Sequence, residues 1–389
     1  MNNYAPLDKA FVRGEGVWLY DTEGQRYLDA LGGIAVCVLG HSHPAVSAAL
    51  ADQSATLIHT SNLYRIPLQE QLAARLTALA GMDKVFFCNS GAEANEAAIK
   101  LARLHATKKN ISSPQIMVME GSFHGRTMAT LTATGNSRVQ QGFAPLMPGF
   151  TRVPYNDVVA IQHRLETDPD ICAILVEPIQ GEGGIVIPDS GYLAAIREMC
   201  DQHDCLMMLD EIQTGMCRTG KWFAFQHENI QPDVMTLAKA LGNGVPIGAC
   251  LARGQAADLM QPGSHGSTFG GNPLAARAAL SVLDVLQEIH AEKRAGDSGR
   301  LLLQGLAEAL SGNVEVRQIR GKGLMIGIEL HRDCAELVQK ALDKNVLINV
   351  TAGNVIRLLP PLIMEPEQLR QVITVVTAII EEFSGGGKQ

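Results

Sequence analysis

One lysine, Lys239, stands in Thr236-Leu237-Ala238-Lys239-Ala240-Leu241-Gly242-Asn243-Gly244, between a short apolar run and a glycine-rich turn. An amine held in such surroundings loses its proton more readily and can then attack an aldehyde. Upstream lies an acidic cluster, Leu209-Asp210-Glu211-Ile212-Gln213-Thr214-Gly215. A lysine for a Schiff base and a carboxylate for a pyridine nitrogen are what a pyridoxal phosphate site requires.

Three further strings follow apolar runs. Asn89-Ser90-Gly91-Ala92-Glu93-Ala94-Asn95-Glu96 opens a helix whose free N–H groups, with glycine allowing close approach, suit a phosphate. A plain N-cap by Asn89 or Ser90 is the alternative. In Phe123-His124-Gly125-Arg126-Thr127 the ring could stack on a cofactor and Arg126 could grip a carboxylate with two prongs. Taken alone, a core phenylalanine and a solvated arginine would explain it equally. Glu177-Pro178-Ile179-Gln180-Gly181-Glu182-Gly183-Gly184 offers two acids that could steer an amine or pair with an arginine, or simply form a solvated loop.

Other strings fall short of a chemistry. Gly215 to Gly220-Lys221 has P-loop spacing, but Trp222 stands where the magnesium-binding hydroxyl belongs. The glycines of Gly321-Lys322-Gly323-Leu324-Met325-Ile326-Gly327 are misspaced for a dinucleotide, and His41-Ser42-His43 lacks the ligands to complete a metal site. No metal is expected.

These residues need a scaffold. Short apolar runs at Val85–Cys88, Ile116–Met119, Ile171–Val176, Cys205–Leu209 and Val234–Leu237 alternate with helical patterns such as Ala92–Ala106 and Gly191–Gln202. The alternation predicts an α/β fold whose mostly parallel sheet presents its loops along one edge. Residues 44–273 form the expected large domain. From about Leu274 the pattern becomes helical, with strands at Val314–Arg320 and Leu324–Leu330 and two more helices to Phe383, so 274–389 is expected as a smaller α+β domain. Residues 1–43 carry hairpin signals and are too few to fold alone, so they are expected to pack on that domain or on a partner. The tail Ser384–Gln389 has the composition of a flexible end.

With 46% hydrophobic and 19% charged residues the chain reads as globular, and its net charge of -8 argues against a nucleic-acid footprint. Its eight cysteines form no Cys-x-x-Cys pair, and no apolar run has the length of a membrane span. A cytoplasmic protein with reduced thiols, contacting neither membrane nor nucleic acid, is expected.

Taken in order, Ser90–Glu96, Phe123–Thr127, Glu177–Glu182, Leu209–Gly215 and Lys239 resemble the class III pyridoxal-phosphate-dependent aminotransferases, over about Tyr4 to Pro361. Leu31–Val36 with Gly40–Pro44, His59–Tyr64 and Arg320–Met325 are most similar to the members that act on N2-acetylornithine, with 2-oxoglutarate as acceptor. The resemblance implies the type I fold of aspartate aminotransferase and a homodimer with shared sites, turning over small amino and oxo acids. It implies Lys239 as Schiff-base residue and proton shuttle, Asp210 at the pyridine nitrogen, Gln213 at the phenolic oxygen, Phe123 on the ring, and Gly91 and Ala92 at the phosphate. Thr268 would reach the neighbouring subunit's phosphate and Ser267 would lie near the substrate.

By the same resemblance, Arg357 would bind the α-carboxylate of glutamate and Arg126 the distant carboxylate of acetylornithine, with Glu182 neutralising Arg357 when glutamate is absent. Ile34 stands where ornithine-specific relatives tend to carry a tyrosine, and suits an acylated α-amine. Two departures stand out: Cys217 in place of a usual glycine, and Arg65-Ile66-Pro67 after Tyr64, near the expected pocket mouth. The rivals are transamination of succinylornithine, succinyl-diaminopimelate, ornithine or 4-aminobutyrate, an aminomutase of the same fold, and a non-catalytic pyridoxal-phosphate-binding protein.

Overall fold

A computed structural model describes residues 1–385. Its centre is a seven-stranded sheet in the order Lys84–Cys88, Gly248–Ala252, Val234–Leu237, Leu206–Asp210, Ile171–Val176, Gln115–Met119 and Phe150–Val153. The last five run parallel, while Gly248–Ala252 is antiparallel to both neighbours. Ile171–Val176 and Leu206–Asp210 are buried along their whole length, which is why they read as unbroken apolar runs. Two strands of this sheet escaped the sequence reading: Phe150–Val153 is short and at the edge, and Gly-Ala-Cys-Leu-Ala at 248–252 lacks the β-branched residues that signal a strand.

The parallel strands put Met119, Val176, Asp210 and Leu237 at one edge, and antiparallel pairing brings Cys88 opposite Gly248 beside them. Loops leaving these ends carry Asn89–Gly91, Phe123–Arg126, Glu177–Glu182, Ile212–Gln213 and Lys239. The strand expected at Cys205–Leu209 is displaced by one residue, so Asp210 is its last member. Ser90 caps the long helix Gly91–Lys108, its hydroxyl accepting from Glu93 N–H.

A second sheet is ordered Val316–Lys322, Met325–Leu330, Val355–Leu358, Asn349–Thr351, and Ala291–Ala309 and Pro366–Gly385 pack together over it. Arg357 sits on its Val355–Leu358 strand. The helical run from Leu274 divides in two. Its first helix, Pro273–Glu288, packs on Pro44–Thr56 and Pro67–Ala80 of the large region. Near the N-terminus, Phe11–Glu15, Trp18–Asp21 and Arg26–Asp29 form a meander whose last strand pairs in parallel with Val346–Leu347. Ser384 and Gly385 end the last helix, and the rest of the expected flexible tail lies outside the described residues. Among the described residues no helix is long and apolar enough to cross a membrane.

Candidate active site

A cavity of about 410 Å³ opens at this edge, lined among others by Gly91, Ala92, Phe123, Asp210, Gln213 and Lys239. Arg126 and Glu182 stand in the same wall. Lys239 follows a fully buried strand and opens a turn in the left-handed region, at φ 45°. Burial, the largest influence, pushes its amine below the usual lysine range, partly opposed by Glu182.

Asp210 is held in place by other buried groups. Asn95 Nδ2 donates to its Oδ2 at 2.8 Å, His124 Nδ1 lies 2.8 Å from the same oxygen, and Ile212 N–H donates to Oδ1 at 3.1 Å. Asn95 is itself held, Thr236 Oγ1 donating to its Oδ1 at 2.8 Å. A carboxylate so fixed suits the protonated nitrogen of an aromatic ring. Sequence reasoning missed both His124 and Asn95 as functional, because they lie 86 and 115 residues from Asp210.

Glu177 is buried rather than solvated, accepting from Phe123 N–H at 3.0 Å and Gly181 N–H at 3.3 Å. It therefore ties the Phe123 loop to the loop carrying Glu182. Burial pushes its carboxyl up. Gln213 packs where Gly181 leaves room for it, and its buried Oε1 has no hydrogen-bond partner among the described residues.

Glu182 and Arg357 form an ion pair, Nη1 to Oε1 2.6 Å, across 175 residues of chain. Arg357 is fully buried, its Nε donating to Asn349 Oδ1 at 3.0 Å and its Nη2 without a partner among the described residues. Arg126 is exposed, its guanidinium 5.6 Å from the Phe123 ring centre. The two arginines thus present one buried, neutralised guanidinium and one open one.

Ser267 and Thr268 do not line the cavity of their own chain. Ser267 Oγ accepts from Asn89 Nδ2 at 3.2 Å and from Gly270 N–H at 2.9 Å, one residue behind the wall, while Thr268 is exposed. Ile34 packs into the apolar cluster of Ile179, Ile185 and Leu359, and the cavity wall next to it is Val36. Arg65 is exposed and pairs with Glu70 at 2.7 Å, and Pro67 starts a helix. Cys217 is buried with φ 68°, a conformation that favours glycine.

The residues fit pyridoxal phosphate. Among the described residues no hydrogen bond takes up the N–H groups of Gly91 and Ala92, which open the helix as an anion cradle. A Cβ on Gly91 would meet the Ile212 side chain at 2.7 Å, so glycine lets the helix start and this loop approach without displacing it. The orphaned Gln213 Oε1 and His124 Nε2 are buried and polar, as the walls of a site for a polar aromatic ring would be. No group of three His, Cys, Asp or Glu among the described residues is arranged to hold a metal.

Buried acid beside the site makes the fold sensitive to pH. Glu211 accepts from Phe225 N–H at 2.9 Å and from Thr214 Oγ1, and burial pushes its carboxyl from 4.5 up to about 7. Its folded pKa is the higher one, so its stabilisation is complete below pH 4.5 and is lost as pH rises through about 7. The loss over that window is on the order of 3 kcal/mol. In Glu211→Gln the difference in denaturant-unfolding free energy between pH 5 and pH 8 should shrink by that order, and an unchanged difference would show that the carboxyl titrates normally.

An α/β fold with this lysine, aspartate and helix N-terminus at the carboxyl edge of its sheet is that of a type I pyridoxal-phosphate enzyme. The comparisons narrow the class. The family model for class-III aminotransferases matches residues 2–380, and the chain belongs to that family. It is 57% identical to an acetylornithine aminotransferase of Nitrosomonas europaea over 98% of each chain, and 45% identical to one of Methanocaldococcus jannaschii over 98% and 95%. Among solved structures it superposes on an ornithine aminotransferase of Toxoplasma gondii with TM-score 0.96 and 35% identity, covering 99% of this chain and 93% of that one. An acetylornithine aminotransferase of Elizabethkingia anophelis gives 0.89 at 39%, with 98% and 96% covered. The cofactor is pyridoxal 5′-phosphate.

Proposed function

We propose that the protein transfers the δ-amino group of N2-acetylornithine to 2-oxoglutarate, giving N-acetylglutamate 5-semialdehyde and glutamate, a step in arginine biosynthesis. Bound pyridoxal phosphate supplies an aldehyde that takes up the amine and a ring that accepts the electron pair left when the adjacent C–H bond breaks. Gly91 and Ala92 bind its phosphate, Phe123 covers its ring, and Gln213 meets its phenolic oxygen. Asp210, fixed by Asn95 and His124, holds a proton on the ring nitrogen. Lys239 Nζ, whose charged form burial disfavours, takes the proton from the carbon bearing the reacting amine and returns it later in the step.

One observation carries the choice of substrates: Arg357 is buried and neutralised by Glu182, which shares the cavity wall with the open Arg126. Glutamate reacts at its α-amine, so its α-carboxylate lies close to the reacting carbon and takes Arg357 from Glu182. Acetylornithine reacts at its δ-amine, and its carboxylate is carried outward to Arg126. Glu182 then stays on Arg357, which would otherwise be a buried, unpaired cation.

Glu182→Gln is expected to leave the glutamate half-reaction within about threefold of wild type and to slow the acetylornithine half-reaction roughly 10- to 100-fold. Single-turnover rates with each amine check this. Equal losses would refute the exchange.

The enzyme works as a homodimer in the cytoplasm. Support for the dimer comes from Thr268, exposed among Leu63, Tyr64 and Phe269, which are 86%, 70% and 60% exposed. A second copy covering that face would bring Thr268 to the partner's phosphate. Eight free cysteines, seven of them buried, accord with a reducing compartment.

A further inference from the structure

Between the meander and the first helix, residues 29–41 form a strut that touches both chemical poles of the site. Gly32, Gly33, Ile34 and Ala35 all have φ between 58° and 65°, a left-handed turn that costs energy at the β-branched Ile34. Asp29 holds it: Oδ1 accepts from Leu31 and Gly32 N–H, each at 2.9 Å, and Oδ2 lies 2.8 Å from His41 Nε2. Beyond the turn, Val36 enters the cavity wall.

At one side the strut is bound to the lysine turn. Asn243, four residues after Lys239, accepts from Leu39 N–H at 2.8 Å and donates through Nδ2 to Gly40 C=O at 3.1 Å, closing a loop of more than 200 residues. Its φ of 46° is left-handed, which asparagine tolerates. Gly244–Ile247, directly after it, line the cavity. At the other side the strut is bound to the exit of the Arg357 strand, where Leu359 N–H donates to Ala30 C=O at 2.8 Å and Leu362 N–H to Val38 C=O at 2.7 Å. No side chain of this strut has a role in the chemistry described above.

We propose that Asn243 is a positioning residue that sets the separation of Lys239 from Arg357 by clamping the lysine turn to the strut. The proposal rests on the substrate reading above and assigns it a consequence. Glutamate must reach Lys239 and Arg357 at once, its reacting carbon and its carboxylate being adjacent. Acetylornithine is held at Arg126 and does not use that spacing. Loosening the clamp therefore harms one half-reaction more than the other.

Asn243→Asp keeps the acceptor for Leu39 N–H and sets a second oxygen against Gly40 C=O, while Asn243→Gly removes both bonds and accepts the same φ. In single-turnover measurements on the cofactor-loaded full chain, both variants are expected to lose roughly tenfold or more in kcat/KM for glutamate and less than about threefold for N2-acetylornithine. Should the glycine variant fail to fold, the aspartate variant decides. Equal losses with both amines, or none with either, would overturn the proposal. A wild-type enzyme inert to acetylornithine would instead overturn the substrate reading beneath it, a separate result.

Discussion

The Lys239→Ala enzyme is expected to lose turnover by on the order of 10⁴-fold or more while remaining folded. Among the described residues no other primary amine lines the cavity, so no neighbour there is placed to take over proton transfer. Its removal should not unfold the chain. The amine is desolvated, and burial disfavours its charged form, so alanine relieves an electrostatic cost as it leaves a small void. Ala238 and Leu241, both buried, and the Asn243 clamp keep the turn in place. Turnover measured beside thermal unfolding checks this. Residual activity within about a hundredfold of wild type would mean that another group moves the proton.

The second large effect concerns Arg357. In Arg357→Ala, kcat/KM for glutamate and for 2-oxoglutarate should fall on the order of 10³-fold, the equivalent of about 3–5 kcal/mol for a fully buried cation and its carboxylate partner. The acetylornithine half-reaction should change less than about tenfold, since Glu182 is partly exposed and can rehydrate when its partner is lost. Arg357→Lys should behave more like alanine than like wild type, because Nε binds Asn349 while Nη1 binds Glu182, a fork that an ammonium cannot reproduce. Equal losses with both amines would place both carboxylates at the same arginine.

Much of the scaffold was legible because the parallel strands are buried on both faces, so Ile171–Val176 and Val234–Leu237 stand out as apolar blocks. Each chemically suggestive string then falls after a strand, at the edge where the topology gathers loops. Gly248–Ala252 was hidden because small residues pack it between two neighbours, carrying no periodic signal. Local strings are also silent about partners distant in the chain. Nothing in Phe123-His124-Gly125 says that the imidazole faces Asp210, and Asn95 reads as one more residue of a helix. Arg357 was reached through resemblance alone; it lies on a separate sheet, and the ion pair with Glu182 exists only in the folded chain. The left-handed turn at Gly32–Ala35 carries Ile34, which packs on Ile179, Ile185 and Leu359, and sets Val36 in the cavity wall, a placement that matching by position could not anticipate.

The most direct test of the substrate reading is a single-turnover half-reaction, with the cofactor-loaded protein mixed with N2-acetylornithine, no oxo acid present, and the visible spectrum followed. Full loss of the cofactor's visible band with acetylornithine, restored by 2-oxoglutarate and matched by faint responses to ornithine and 4-aminobutyrate, is the predicted result. An unchanged band with acetylornithine, alongside full conversion by one of the other amines, would contradict it.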